Sequence, residues 1–329
     1  MSFFLKLFKL LPPELSHSFS LNSLNILHKL KILKFFIKRP ANNERFDFIG
    51  LRFKNRLGTA AGLDKNGDYI DSLGELGFGF LEVGTITPKA QEGNSKPRVF
   101  RNFKENSIIN QLGFNNKGVD HLVNNLKNRS YEGILGVNIG ANKESQGAER
   151  INDYLICLEE VYRYSDYITV NISSPNTPNL RELHNEEELK NLIQAIDSKV
   201  IKLKITTPIF LKISPDESNR VIDMVIEILE NSKISGLIAT NTTIDKSNIL
   251  NKKFRCIDGG LSGAPLMDKA TEKLSYIYGK SSHLPLIGVG GVTSKEDYEM
   301  KLQAGAQLVQ IYTGFVIKGP KIINEILSE

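Results

Sequence analysis

The stretch YITVNISSPNTP, Tyr167 to Pro178, changes character within one residue. Tyr167, Ile168 and Val170 make an apolar, β-prone run, and at Asn171 it gives way to serines, a second asparagine, a threonine and two prolines. Strand propensity yields to turn chemistry there, so Asn171 is expected at the C-terminal end of a strand. Pro175 and Pro178 each fix φ and remove a donor, which stiffens the loop. A solvated linker would carry Lys, Glu and Gly; this one is dense in uncharged hydrogen-bonding groups. It reads as a loop that holds a planar polar ligand and sets one hydroxyl against it. The competing reading is a well-capped surface turn.

The same event recurs along the chain. Apolar runs end near Ala61, Gly84, Asn138, Asn171, Ile213, Thr240, Gly288 and Tyr312, each in a polar or glycine-rich phrase. Helical patterns lie between them, such as Glu186 to Lys199 and Glu217 to Asn231, the latter with Val221, Val225 and Ile228 on one face. Ser294 with Asp297 three residues on resembles a capping box. Eight strand–helix units in about 270 residues predict an α/β fold, a (β/α)8 TIM barrel, over an open sheet. Phe46 to Phe53 reads as a small hairpin. The expected division is a helical extension over residues 1–40 and a barrel over 41–329, with no repeat of solenoid length.

Hydrophobic content of 40% and charged content of 24% suit a soluble globular protein. The net charge of +5 is concentrated at the start: seven basic residues against Glu14 give residues 1–40 a balance of +6 and leave −1 for the other 289. The body is therefore no nucleic-acid binder, which would need a basic face of its own. Phe4, Leu7, Phe8 and Leu11 fall on one helical stripe with Lys6 and Lys9 opposite. Pro12 and Pro13 are expected to end that helix, and a second helical piece to run from about Leu21 to Ile37. Nothing approaches the ~18 apolar residues of a spanning helix. The pair suits an anionic membrane surface; the alternative is a hairpin packed on the body with its lysines solvated. Cys157 and Cys256 read as buried small hydrophobes in a reducing compartment. The five histidines show no metal-ligand spacing, so no metal is expected.

The strand ends carry the chemistry. After the first strand, AAGLDKNG (Ala60 to Gly67) lets backbone approach a flat ligand and offers Lys65 to an anion. Thr85 ends the second strand, and NQLGFNN (Asn110 to Asn116) reads as an amide-rich loop with one aromatic, Phe114. Asn138 and Asn171 end the third and fourth strands, so an asparagine array faces one end of the barrel, suited to a heterocycle edge that both donates and accepts. Lys212 lies within the fifth strand, in FLKISPD; burial there demands an anionic partner, and it either balances charge on a reduced ring or forms a Schiff base. Thr240, Asn241 and Thr242 end the sixth. GGLSG (Gly259 to Gly263), GVGGV (Gly288 to Val292) and IYTG (Ile311 to Gly314) read as a phosphate site.

In this order the phrases AAGLDKNG, EVGTITP, NQLGFNN, GVNIGANK, NISSPNTPNLR, ATNTT, GGLSG and GVGGV resemble the class 2, quinone-linked dihydroorotate dehydrogenases nearly end to end. PPELSHSF (Pro12 to Phe19) resembles that family's membrane-side extension. The resemblance implies oxidation of dihydroorotate to orotate, with flavin mononucleotide (FMN) as cofactor and a membrane quinone as acceptor. It implies a catalytic base at Ser174 and a proton relay at Thr177. The substrate set it implies is Lys65, Asn110, Gln111, Leu112, Gly113, Phe114, Asn171, Asn176, Asn241 and Thr242. The implied flavin contacts are Ala61, Gly62, Lys65, Thr85, Asn138, Asn171, Lys212, Thr240, Gly263, Gly291, Tyr312 and Thr313. A peripheral, monomeric protein on the cytoplasmic face of a bacterial inner membrane is expected. A Schiff-base barrel using Lys212, a non-catalytic membrane-surface protein and a class 1 relative with a soluble acceptor are the alternatives; serine at position 174, where class 1 uses cysteine, argues against the last.

Overall fold

The computed structural model describes residues 11–37, 45–177, 180, 183 and 185–328. Helix α1 (Pro13–Lys29) and a 3-10 turn (Leu33–Phe35) precede an antiparallel hairpin of β1 (Phe46–Phe48) and β2 (Leu51–Phe53). The chain then runs β3 (Leu57–Thr59), α2 (Ile70–Gly74), β4 (Phe80–Ile86), β5 (Val99–Asn102), β6 (Ser107–Asn110), α3 (Val119–Asn128), β7 (Ile134–Ile139), α4 (Gly147–Val161) and β8 (Tyr167–Asn171). Its second half is α5 (Glu186–Leu203), β9 (Ile209–Ile213), α6 (Asn219–Glu230), β10 (Gly236–Ala239), α7 (Lys252–Arg255), β11 (Gly260–Gly263), α8 (Met267–Lys280), β12 (Leu286–Val289), α9 (Lys295–Gln303), β13 (Leu308–Ile311), α10 (Thr313–Lys318) and α11 (Lys321–Leu327).

Eight parallel strands close a barrel in the order β3-β4-β7-β8-β9-β10-β12-β13, and β13 returns to β3. Every expected strand end falls within two residues of an observed one. Alternate residues point inward. Phe80, Tyr167, Phe210 and Leu308 fill the lower interior, with Phe53 of the hairpin closing that end. Phe53 meets Phe80 edge-on at 5.4 Å, and Tyr167 meets Phe210 at 5.8 Å. Small residues face these rings: a Cβ on Gly136 would lie 2.1 Å from the Tyr167 ring. Truncating one such ring to alanine costs about 3–5 kcal/mol.

Several expectations are corrected. β5, β6 and β11 form a separate three-stranded antiparallel sheet over the mouth, so Asn110 ends a strand and most of GGLSG is a strand, not a loop. These strands are only four residues long, and β11 is half glycine, so no run announced them. α1 opens at Pro13 instead of near Leu21 and stops at Lys29, because proline in the first helical turn forfeits no hydrogen bond. The expected stripe from Phe4 to Phe8 lies outside the described residues. On α6 the buried face is Ile222, Val225, Ile226 and Leu229, one step round from Val221 and Ile228. Cys157 is buried, but Cys256 is exposed after α7. The α9 cap forms, with Ser294 Oγ accepting from Asp297 N (3.2 Å), while the Asp297 carboxylate reaches back to Thr293 N (2.8 Å).

α1 packs on the barrel through Leu21 and Ser16. Arg98 donates to Glu14 at 3.0 and 2.9 Å, and Tyr69 Oη donates to Asn22 Oδ1 at 2.8 Å. The outward side of this segment leaves Leu15, Phe19, Ile26, Leu30, Phe35 and Phe36 exposed. No described helix is long and apolar enough to cross a membrane.

Candidate active site

The C-terminal ends of the strands surround a cavity that is open at its mouth. Ser174, Lys65, Asn110, Leu112, Gly113, Phe114, Asn171, Asn176, Asn241 and Thr242 all line it. Ala61, Gly62, Thr85, Lys212, Thr240, Gly263, Gly291, Tyr312 and Thr313 share its walls. Three expected residues stand behind the wall. Gln111 turns away and donates to Asp258 O (2.8 Å); Asn138 is fully buried beneath Thr85; Thr177 Oγ1 is buried without a hydrogen bond to any described residue.

Local chemistry fixes the loop after β8. Asn171 Oδ1 accepts from Ser173 N (3.2 Å) and Ser173 Oγ (3.0 Å), an Asx turn that reverses the chain at the strand end. Ser174 Oγ accepts from Asn176 N at 3.3 Å and is only 6% exposed. Asn176 Nδ2 donates to Asn110 Oδ1 (2.9 Å), and Asn94 Nδ2 donates to Asn176 O (3.2 Å), so the loop is tied to the sheet over the mouth. Asn241 Nδ2 donates to Ser173 Oγ (3.0 Å) from the neighbouring strand end. The Ser173 hydroxyl is thus held from both sides, next to Ser174.

Two lysines face the cavity. Burial draws the Lys65 pKa down to about 8, with Glu14 and Asp64 opposing the fall and Arg98 adding to it. Lys212 is 5% exposed, and burial lowers its pKa against the pull of Glu82. Gly263, Gly290 and Gly291 take φ of +95°, +115° and +90°, conformations open to glycine. A Cβ on Gly291 would lie 2.3 Å from Met267 Cα, so the backbone itself forms the wall there. Thr313 Oγ1 donates to Ser262 Oγ (2.8 Å) beside it, and Thr242 Oγ1 is buried with no described partner. A glycine backbone cradle, an unpartnered hydroxyl and a buried lysine fit a phosphorylated planar heterocycle such as a flavin nucleotide.

A second cavity lies under α1. Glu14 and His17 of α1, Asp64, Asp68, Arg101 and Val316 line it, and Lys65, Leu112 and Tyr312 belong to both cavities. Burial first, then Lys65, pull the His17 pKa down to about 4, so its imidazole is neutral at pH 7. Sequence reasoning missed His17 and Arg101, whose roles need the docking of α1. It also missed Ser262, Gly290 and Gln310 in the mouth cavity; Ser262 stands within GGLSG and Gly290 within GVGGV, so both phrases held the signal.

The fold and cavity define a (β/α)8 barrel enzyme with one polar mouth at the C-terminal ends of its strands. The dihydroorotate dehydrogenase family matches residues 45–329. The chain is 48% identical over 97% of its length to the dihydroorotate dehydrogenase (quinone) of Saccharophagus degradans, covering 95% of that protein. It is 45% identical over 98% of its length to that of Buchnera aphidicola subsp. Schizaphis graminum, covering 97% of it. A crystal structure of DHODH from Eimeria tenella in complex with ferulenol superposes with a TM-score of 0.86 at 32% identity, over 96% of this chain and 89% of that one. The chain belongs to the dihydroorotate dehydrogenase family, in its quinone-dependent class.

Proposed function

We propose that this chain oxidises dihydroorotate to orotate at the barrel mouth, with FMN as cofactor, Ser174 as base and a membrane quinone as final acceptor. One observation carries the reading. Ser174, Lys65 and the amides of Asn110, Asn171, Asn176 and Asn241 converge on a cavity that shares a wall with a second cavity under α1.

The oxidation takes a proton from C5 and a hydride from C6, leaving the C5–C6 double bond of orotate. When bound, FMN supplies the hydride acceptor and later the donor to quinone. Gly263, Gly290, Gly291 and Thr313 would hold its phosphate, and Ala61, Gly62, Thr85 and Thr240 its ring. Lys65 answers the substrate carboxylate, and the asparagines match a ring edge of alternating donors and acceptors. A serine hydroxyl is a weak base, so it needs shielding from water; Ser174 is buried in the cavity wall and its Oγ accepts from Asn176 N. Thr177 Oγ1, buried and unpartnered among the described residues, would pass on the proton taken by Ser174. Lys212 offsets negative charge from below. His17 and Arg101 line the quinone's approach. The exposed apolar side of α1, with Lys29, Lys31 and Lys34 exposed near its end, meets an anionic membrane surface. The protein then works as a peripheral monomer on the cytoplasmic face of a bacterial inner membrane.

The visible spectrum of the purified protein tests this reading. A flavin band bleached by dihydroorotate and restored by a quinone, but not by fumarate or NAD, is the expected result. A colourless protein, or recovery by fumarate alone, contradicts it.

A further inference from the structure

Glu82 is a carboxylate 1% exposed inside the barrel, and none of the steps above makes use of it. It lies two residues beyond Phe80 on β4, as Thr169, Lys212 and Gln310 lie two residues beyond Tyr167, Phe210 and Leu308. Two residues along a strand return to the same face. A polar layer therefore sits directly on the apolar floor, and Lys212 and Gln310 of that layer line the mouth cavity.

The hydrogen bonds around Glu82 all run one way. Asn138 Nδ2 donates to Oε1 (2.9 Å); Tyr167 Oη (2.9 Å), Thr169 Oγ1 (3.2 Å) and Gln310 Nε2 (2.6 Å) donate to Oε2. Asn138 Nδ2 and Gln310 Nε2 can only donate, so the carboxylate receives an amide N–H at each oxygen. Its charge then orders what lies above. Asn138, committed to donate downward, presents Oδ1 to the Thr85 hydroxyl (2.6 Å). Thr85 Oγ1 in turn accepts from Asn171 Nδ2 (3.1 Å), which leaves Asn171 Oδ1 to accept from Asn241 Nδ2 (3.3 Å). Every step of this relay, from Asn241 to the floor, points at Glu82. Lys212, in the same layer, has no hydrogen bond or ion pair to a described residue, and Glu82 raises its proton affinity against burial. Among the described residues, the ionisable group hydrogen-bonded to Glu82 is the Tyr167 phenol, which burial and Glu82 hold protonated. Lys65 faces the same cavity from the β3 side.

We propose that Glu82 is a positioning residue: its fixed charge sets the donor–acceptor sense of the amide relay and keeps Lys212 protonated under the ring site. The inference rests on the flavin reading of the cavity.

The flavin midpoint potential between pH 6 and 9 tests it in the parent, Glu82→Gln, Glu82→Asp and Glu82→Gln/Lys212→Met. In the parent the charges of Glu82 and Lys212 cancel. Glu82→Gln leaves Lys212 uncompensated, so the potential is more positive than the parent's at pH 6 and falls back toward it as Lys212 loses its proton. Glu82→Asp, which keeps the charge, tracks the parent, and the double variant shows no such break. A Glu82→Gln line parallel to the parent's, or an equal shift in Glu82→Asp, overturns the proposal. Melting temperatures give a readout that needs no flavin. The double variant buries no unpaired charge and should lose less than the sum of the Glu82→Gln and Lys212→Met losses; additive losses contradict the pairing. A parent without a flavin band sinks the cofactor reading, and the melting cycle still decides the coupling.

Discussion

Ser174 owes its place to three neighbours: Asn171 turns the chain, Asn176 N donates to its oxygen, and Asn110 ties Asn176 to the sheet over the mouth. Lys65 sits beside it with a different vulnerability. Its pKa is drawn down to about 8, so the ammonium that answers a substrate carboxylate is present below that pH and lost above it. For dihydroorotate, kcat/KM, which reports the free enzyme, should therefore hold level below pH 8 from this group and decline above it. Lys65→Met should remove that limb and raise KM about 10- to 100-fold, the worth of a charge-assisted hydrogen bond of about 1.5–3 kcal/mol. A pH–rate series on both proteins checks it. Gly291→Ala pushes a methyl at the Met267 backbone, and the purified variant should hold far less flavin per chain than the parent. Most of these residues were legible because each stands in a polar phrase that interrupts an apolar run. Glu82 and Gln310 were not, because nothing in a one-dimensional pattern distinguishes an inward-facing polar residue from one at a solvated strand edge.

At the scale of elements, the strand ends were readable and the connections were not. β8 shows why: five buried residues give way at once to Asx-turn chemistry, and the boundary is fixed on both sides. β11 shows the opposite. It is four residues long, half glycine, and becomes a strand only because Ser107 to Asn110 pairs with it. α1 was misplaced for a physical reason too: a proline such as Pro13 can equally stop a helix on its N-terminal side or open one on its C-terminal side. The exposed Leu15 and Phe19 of α1 give a direct test of the membrane proposal. Leu15→Asp with Phe19→Asp should weaken co-sedimentation with anionic vesicles and slow turnover with a long-chain quinone, while turnover with a soluble dye stays near the parent's. Unchanged sedimentation would argue that this face is merely solvated. On α9, Ser294→Ala removes the Asp297 N–H acceptor and should cost about 1 kcal/mol of stability, read from denaturant unfolding.

For the whole molecule, the barrel arranges two tasks around one wall. The plugged end, closed by Phe53 against Phe80 and by Phe48 against Phe210, carries stability. The open end carries the mouth cavity, and α1 encloses the second cavity against Lys65, Leu112 and Tyr312. The barrel could be read from the count and spacing of strand ends; the second cavity could not, because it exists only once α1 is docked through Arg98 and Glu14. The central claim is that Ser174 takes the substrate's proton within that mouth. Anaerobic mixing of flavin-loaded parent and Ser174→Ala with dihydroorotate tests it most directly. The account predicts that both proteins are yellow and that the variant's flavin bleaches about 100- to 10,000-fold more slowly, the range of a lost general base. Bleaching at the parent rate in a variant with unchanged flavin content would contradict it.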